Sequence, residues 1–172
     1  MDNVELRLID SDAREVATGE DGEILVRGPS IMKGYYKNPE ETRRVIDADG
    51  WFHTGDIGRL DTDGYLSITG RAKEMLIIGG ENVFPREIEA VLETHEGVSQ
   101  AAVIGIPDDL RGELPVAFVI PQAEAEVTEQ ALRNHAKNSL AGFKVPKRVI
   151  IREDLPRGPT GKILKRRLRD LL

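Results

Sequence analysis

Gly161-Lys162 places one lysine directly after a glycine, inside the basic segment 156–169. The glycine lets a ligand approach the backbone, and the lysine can deliver one positive charge to an anion. Two other motifs, Thr54-Gly55-Asp56 and Gly70-Arg71, join a glycine to a carboxylate and to a guanidinium. Together the three motifs predict a site for a nucleotide and a carboxylate, most of which lies outside this chain.

Each motif also has a purely structural interpretation. Asp56 could be a polar kink in an edge strand, and Arg71 could form a surface ion pair that contributes little to stability. The hairpin signal Asp63-Gly64 lies between them, so antiparallel pairing would bring Arg71 towards Asp56. Gly79-Gly80 is explained equally well by a ligand close to the backbone or by a simple turn.

The segment around Lys162 does not match a phosphate-binding nucleotide loop. That pattern requires glycine at position 156 and serine or threonine at position 163, where this chain has Pro156 and Ile163. We therefore interpret Lys162 as a mobile point charge placed where an apolar-basic helix begins, with Ile163, Leu164, Leu168 and Leu171 at helical spacing.

Other kinds of site find little support. His53, His95 and His135 have no ligand-type neighbours at metal-binding spacing, so we predict no metal site. The sequence has no cysteine, which excludes thiolate chemistry, and no Gly-x-Ser-x-Gly elbow of an ordinary hydrolase.

The hydrophobic pattern predicts an α+β protein in two parts. Residues 1–70 contain short alternating strands at about 4–8, 23–27, 51–60 and 65–69. They also contain a helix that is capped by Asn38, has Pro39 in its first turn and ends near Ile46. This part is expected to be a barrel-like or meander sheet. Residues 71–172 are expected to be a small α+β domain. Its strands are predicted near 75–78, 101–106, 114–120 and 148–152. Its helices are predicted after Pro85, after Thr128, which we expect to be an N-cap, and after Lys162.

Composition indicates a globular protein: 40% of the residues are hydrophobic and 31% are charged. No apolar run approaches the roughly 20 residues of a membrane span, and the first residues do not resemble a secretory signal. A cytoplasmic location is the default expectation. The net charge is −6, but residues 144–172 hold ten Lys/Arg and three Asp/Glu. This tail could contact phosphates or be a solvated helix face. We predict no nucleic-acid binding, since Phe143 alone offers no stacking platform.

Taken in order, a set of motifs closely resembles the C-terminal portion of the adenylate-forming superfamily, and within it an acyl-CoA synthetase (fatty-acid-CoA ligase). The motifs cover nearly the whole chain: 22–28 (GEILVRG), 32–36 (MKGYY), 51–56 (WFHTGD), 70–74 (GRAKE), 79–82 (GGEN), Glu87-Ile-Glu89 and Gly161-Lys162.

The resemblance implies a role for each matching residue. Asp56 would hold the ribose hydroxyls of AMP, Arg71 would contact the same nucleotide, and Ile68 would line the adenosine pocket. Lys73 would lie at a hinge. Gly79 and Gly80 would line the pantetheine channel. Lys162 would be the catalytic lysine, bridging carboxylate and phosphate while acyl-AMP forms.

The resemblance also implies substrates and partners. ATP and a fatty or other carboxylic acid would form acyl-AMP, and the acyl group would pass to CoA after a domain rotation. Mg²⁺ is expected in the full-length enzyme but not bound by this chain. The family's phosphate loop and acyl pocket lie upstream, so we expect the chain to need a large N-terminal domain and to be inactive alone. A homo-oligomer is possible. The alternative is a stand-alone, non-enzymatic binding or regulatory module.

Overall fold

The first sheet of the computed structural model, which describes residues 3–172, is an antiparallel meander. Its strands pair in chain order and are β1 Glu5–Ile9, β2 Asp21–Arg27, β3 Phe52–Leu60 and β4 Leu66–Arg71. The strands predicted from apolar alternation are thus confirmed. Among the described residues β1 and β4 form open edges, so the sheet is a meander and not a closed barrel. Met1 and Asp2, where the predicted first domain begins, lie outside the described residues.

A short helix, α1 Pro39–Val45, links β2 to β3 and begins as its sequence predicts. The side-chain oxygen of Asn38 accepts a hydrogen bond from the Glu41 backbone N–H at 3.1 Å. Pro39 occupies the first turn, where a missing N–H costs nothing.

Trp51 anchors the small core under the meander together with Ile9 and Leu25. It is 4% exposed, and the guanidinium carbons of Arg7 and Arg27 lie 4.4 and 4.5 Å from its ring centroid. The two cations cover the indole and keep this end of the sheet ordered without a large apolar layer.

The second sheet has the order β6-β5-β8-β7, with β9 parallel to β8. Its strands are β5 Leu76–Ile78, β6 Glu81–Val83, β7 Val98–Asp108, β8 Gly112–Pro121 and β9 Arg148–Ile151. Strand β6 was not predicted, because two of its three residues, Glu81 and Asn82, are polar, whereas the equally short β5 is wholly apolar. The other predicted strands are confirmed.

Both faces of the second sheet are covered, which explains the continuous apolar runs in β7 and β8. Alternate residues of β7 point to opposite sides. Ala101 and Val103 pack with the cluster under the helices α2 Pro85–Glu93 and α3 Glu129–Ser139, whereas Ala102 and Ile104 pack with Leu155 and Leu168 from the C-terminal segment. The predicted cap of α3 is confirmed: the Thr128 hydroxyl accepts from the Ala131 N–H at 3.2 Å.

The prediction of a helix beginning at Gly161-Lys162 was wrong. Residues 162–164 are not helical, and a 3₁₀ helix follows at Lys165–Leu171. The reason is a competing set of backbone hydrogen bonds. The Leu164 N–H donates to the Pro156 carbonyl at 2.7 Å, and Ile163 forms a β-bridge with Arg157. Leu168 and Leu171 still face the sheet, because a 3₁₀ helix aligns residues three apart.

The chain forms two compact units, Met1–Lys73 and Glu74–Leu172, here called the first and second unit. The division lies just after the boundary predicted at residue 70. It stays a prediction that the first unit is the end of a large domain and that the second unit is a mobile domain. No helix among residues 3–172 combines the length and the apolar character needed to span a membrane.

Candidate functional site

A bulge in β3 presents Thr54-Gly55-Asp56. Glu23 pairs with Ile57 and Leu25 with His53, so three residues of β3 lie opposite one residue of β2. Gly55 has a φ of +70°, a conformation that other residues adopt only with strain. Bulges of this kind re-aim side chains, and here the bulged segment ends at Asp56, which remains in register with β4.

Short polar contacts hold the bulge. The Thr54 hydroxyl donates to the Ile24 carbonyl at 2.8 Å and accepts from the Asp56 N–H at 3.1 Å. One carboxylate oxygen of Glu23 accepts from the Gly55 N–H at 3.3 Å, and the other lies 3.2 Å from His53 Nδ1. Sequence reasoning did not assign Glu23 to the site. The signal that could have found it is a carboxylate directly before the apolar run 24–26 of a strand, where a charged residue is unusual.

Asp56 and Arg71 come together as the hairpin predicted. They are register partners across β3 and β4, and Arg71 Nε lies 2.8 Å from Asp56 Oδ1. The Asp56 side chain is 25% exposed and the Arg71 side chain 48%. A guanidinium bound through Nε can still donate its remaining N–H groups to a phosphate or a ribose oxygen.

The other two predicted residues of the first unit flank this pair. Ile68 lies on β4 opposite Gly58 and is 64% exposed, unusually open for an isoleucine in a strand. Lys73 lies in a single 3₁₀ turn, Ala72–Glu74, and is the last residue of the first unit. A short turn at a unit boundary is a place where a hinge can act, and the hinge role of Lys73 stays a prediction.

Gly79 and Gly80 form the two-residue turn between β5 and β6. Their φ angles are +63° and +89°, as a tight hairpin turn of this hand requires. Nothing lies within 4 Å of a Cβ built on either residue, so their backbone, not a close neighbour, requires glycine. The Gly79 N–H donates to the Arg111 carbonyl at 2.8 Å, which attaches this turn to the connection between β7 and β8.

Lys162 is an exposed residue just after the tip of a narrow loop, residues 156–164, here called the Lys162 loop. The Gly158 N–H donates to the Lys162 carbonyl at 2.8 Å. Arg157 holds the base: it donates to the Gly161 carbonyl at 3.0 Å, to the Gln100 side chain at 2.6 Å and to Asp154 at 3.2 Å. A rigid loop therefore carries a solvent-facing ammonium group.

Asp154 contributes to the charge at the base of the Lys162 loop. Its carboxylate accepts from the Leu155 backbone N–H and from Arg157, and these hydrogen bonds hold the pKa of Asp154 below its ordinary value. The carboxylate therefore keeps its charge to lower pH than an ordinary aspartate does.

A cavity of about 280 Å³ in the second unit is lined largely by cationic and apolar groups. Its lining is Arg111, Leu114, Arg133, Lys137, Gly142, Phe143, Val145 and Lys147. Sequence reasoning missed this site, because its members come from three separate segments. Phosphate groups are the natural counter-ions of such a lining. Among residues 3–172 no group of three or more acidic, histidine or cysteine side chains could hold a metal ion.

Comparison with known proteins identifies the family. The family described as "AMP-binding enzyme C-terminal domain" matches residues 87–162, and "AMP-binding enzyme" matches residues 1–36. The chain belongs to the adenylate-forming superfamily. This member is 46% identical, over 168 residues, to the long-chain-fatty-acid–CoA ligase of Salmonella typhimurium, covering 98% of the chain and 30% of the relative.

Two more similar proteins show how varied the matched proteins are. The oxalate–CoA ligase of Arabidopsis thaliana is 49% identical over 145 residues, covering 84% of this chain and 28% of the relative. The crystal structure of ATP-bound MatB from Rhodopseudomonas palustris is 40% identical with a TM-score of 0.89, covering 98% of the chain and 34% of that structure. The chain thus spans about a third of the length of the proteins it matches, and it corresponds to their C-terminal portion.

Proposed function

We propose that this chain is the C-terminal part of an ATP-dependent acyl-CoA ligase. The enzyme joins a carboxylate to ATP, releases pyrophosphate, and then transfers the acyl group from acyl-AMP to the thiol of CoA. The observation that carries the proposal is the Asp56–Arg71 contact of 2.8 Å beside the glycine bulge of β3. It sets a hydrogen-bond acceptor for ribose hydroxyls next to a donor for phosphate oxygens.

Each predicted site residue keeps its role in this proposal. The exposed Ile68, on the strand of Arg71, offers an apolar surface to the adenine. Lys162 delivers its charge to the carboxylate and the α-phosphate as negative charge develops. Lys73 is the hinge, and the Gly79-Gly80 turn lets the pantetheine arm pass close to the backbone during thioester formation. The two half-reactions then use different parts of the second unit in turn.

We further propose that the cationic cavity holds the nucleotide end of CoA. Its four basic side chains, Arg111, Arg133, Lys137 and Lys147, match a ligand with several phosphate charges, while Phe143 offers a flat apolar surface to a base. Through its backbone carbonyl, Arg111 also supports the Gly79-Gly80 turn. A ligand in the cavity would therefore lie on the same connection that fixes the proposed pantetheine path.

The remaining parts of the active site are proposed to lie outside this chain. We propose that the acyl pocket and the phosphate loop belong to a preceding large domain, and that the 172-residue chain alone does not adenylate. Mg²⁺ accompanying ATP is assigned no ligand here. A fatty acid is the first acid to test, because of the long-chain ligase relative, although the oxalate ligase is as similar.

The test is expression of the complete reading frame that contains this segment. Acid-dependent ATP–pyrophosphate exchange measures the first half-reaction, and thioester formation from supplied acyl-AMP and CoA measures the second. We expect both half-reactions in the complete protein. In the 172-residue chain we expect no ATP–pyrophosphate exchange and no overall turnover. Exchange catalysed by the short chain, or none by the complete protein with any acid of a broad panel, would contradict the proposal.

A further inference from the structure

Lys165 lies between two carboxylates of the second unit. Its ammonium nitrogen is 2.6 Å from Glu74 Oε2 and 2.7 Å from Glu89 Oε1. Glu89, on α2, is 5% exposed, and its Oε1 also accepts a hydrogen bond from the Val103 N–H at 2.8 Å. The three side chains thus join the start of the second unit, the middle of α2 and the beginning of the C-terminal 3₁₀ helix.

The two carboxylates do not need the lysine equally. Glu89 is buried, and a buried carboxylate without a cation is strongly unfavourable. The ion pair with Lys165 supplies the cation that the Glu89 carboxylate needs. Glu74 has a side chain that is 34% exposed and could be hydrated instead. Stability alone therefore accounts for the Lys165–Glu89 pair but leaves the contact with Glu74 unexplained.

The positions of Glu74 and Lys165 in the chain supply a reason. Glu74 directly follows Lys73, the last residue of the first unit, and precedes the buried Leu76 by two residues. Lys165 directly follows the Lys162 loop, whose last residue, Leu164, is bonded back to Pro156. The ion pair thus links the first residue of the second unit to the base of the loop that carries Lys162.

We propose that Lys165 is a positioning residue, which ties the residue after the hinge to the Lys162 loop so that rotation about Lys73 moves both as one rigid body. The inference rests on the proposed function. Without this tie, residues 74–75 would be free to flex before the buried Leu76, and a given hinge angle would correspond to many positions of Lys162.

Glu74→Ala tests the proposal, because it removes the tie and leaves the Lys165–Glu89 pair intact. The matched control is Glu87→Ala. Glu87, on α2, pairs with Lys144 at 2.7 Å, and the two ion pairs have similarly exposed side chains. In the complete enzyme we expect Glu74→Ala to lower kcat about 3- to 30-fold, the range expected for loss of a coupling contact, with KM for ATP and for the acid within about twofold of wild type. Glu87→Ala should leave both unchanged.

Variants at Lys165 provide the second arm. Lys165→Met should lower kcat at least as much as Glu74→Ala and should also destabilise the fold. Lys165→Arg should keep kcat close to the wild-type value, because arginine can reach both carboxylates. The double variant Glu74→Ala/Lys165→Met should lose no more kcat than Lys165→Met alone, since both changes remove the same contact. Amide hydrogen exchange should be faster at residues 74–78 in Glu74→Ala and unaltered there in Glu87→Ala.

The outcomes separate this inference from the proposed function. If the wild-type enzyme turns over but Glu74→Ala keeps the kcat of the Glu87→Ala control, the positioning role is wrong and the ligase assignment stands. A rise in KM with kcat unchanged would also overturn the positioning role. If the wild-type enzyme forms no acyl-AMP from any acid, both fail.

Discussion

Asp56 and Arg71 are directly opposed on neighbouring antiparallel strands, and their side chains meet at 2.8 Å. The same sheet contains a matched pair. Asp21 and Arg59 are also opposed, meet at 2.7 Å, and have side chains exposed to 26% and 49%, against 25% and 48% for Asp56 and Arg71. The pairs differ in two respects: Arg59 contacts both carboxylate oxygens of Asp21, and the Gly55 bulge borders Asp56 and not Asp21.

This matched pair gives the first prediction. In the complete enzyme, Asp56→Ala and Arg71→Ala should each lower kcat/KM for ATP about 10-fold or more, the cost of losing a hydrogen bond to a charged group. Asp21→Ala should stay within about twofold of wild type. Steady-state kinetics with ATP varied at saturating acid measures this. Equal losses at the two aspartates would show that the Asp56 pair acts only on sheet stability.

Lys162→Ala should affect one half-reaction. We expect ATP–pyrophosphate exchange to fall about 100-fold or more, as for removal of one group that stabilises developing charge. Thioester formation from supplied acyl-AMP should keep most of its rate. Arg166→Ala is the control, because Arg166 is an exposed cation four residues further along the chain. Similar losses in both half-reactions would contradict the assigned role.

Gly79→Ala tests the turn between β5 and β6. An added Cβ meets no atom within 4 Å, but the φ of +63° is unfavourable for alanine, so we expect a loss of about 1–2 kcal/mol in the free energy of unfolding. Gly142→Ala, where the added Cβ also meets nothing, should be close to neutral. Urea unfolding followed by circular dichroism measures both. Equal stabilities would mean that the turn relaxes without strain.

The cationic cavity predicts an effect on CoA alone. Lys147→Ala should raise KM for CoA about 10-fold, because a phosphate loses one cation, and should leave KM for ATP unchanged. Arg148→Ala, an exposed cation next in the chain that does not line the cavity, is the control. With pantetheine, which has no nucleotide, Lys147→Ala and wild type should behave alike. A difference with pantetheine would place the effect elsewhere.

Local sequence rules predicted what local interactions decide. Asn38 and Thr128 were recognised as helix caps because capping depends on neighbouring residues, and the Asp63-Gly64 turn fixed the pairing that joins Asp56 to Arg71. The expectation of a helix beginning at Lys162 was wrong, because a backbone hydrogen bond between residues 156 and 164 replaces the first helical turn.

Features built from distant segments were not predictable in this way. The cavity gathers Arg111, Arg133 and Lys147 from the β7–β8 turn, α3 and the segment before β9. Lys165 meets Glu74 and Glu89 only after α2 and the C-terminal segment have packed on the second sheet. A charge pattern along the chain shows that such cations exist, but not which of them face one another.

The covering of the second sheet on both faces has a consequence for how this part of the chain can be inherited. Glu74–Leu172 supplies its own two apolar layers, with α2 and α3 on one face and Leu155 and Leu168 on the other. A segment that completes its own interior is expected to fold without an apolar layer from elsewhere, so it can be exchanged between related proteins as a module.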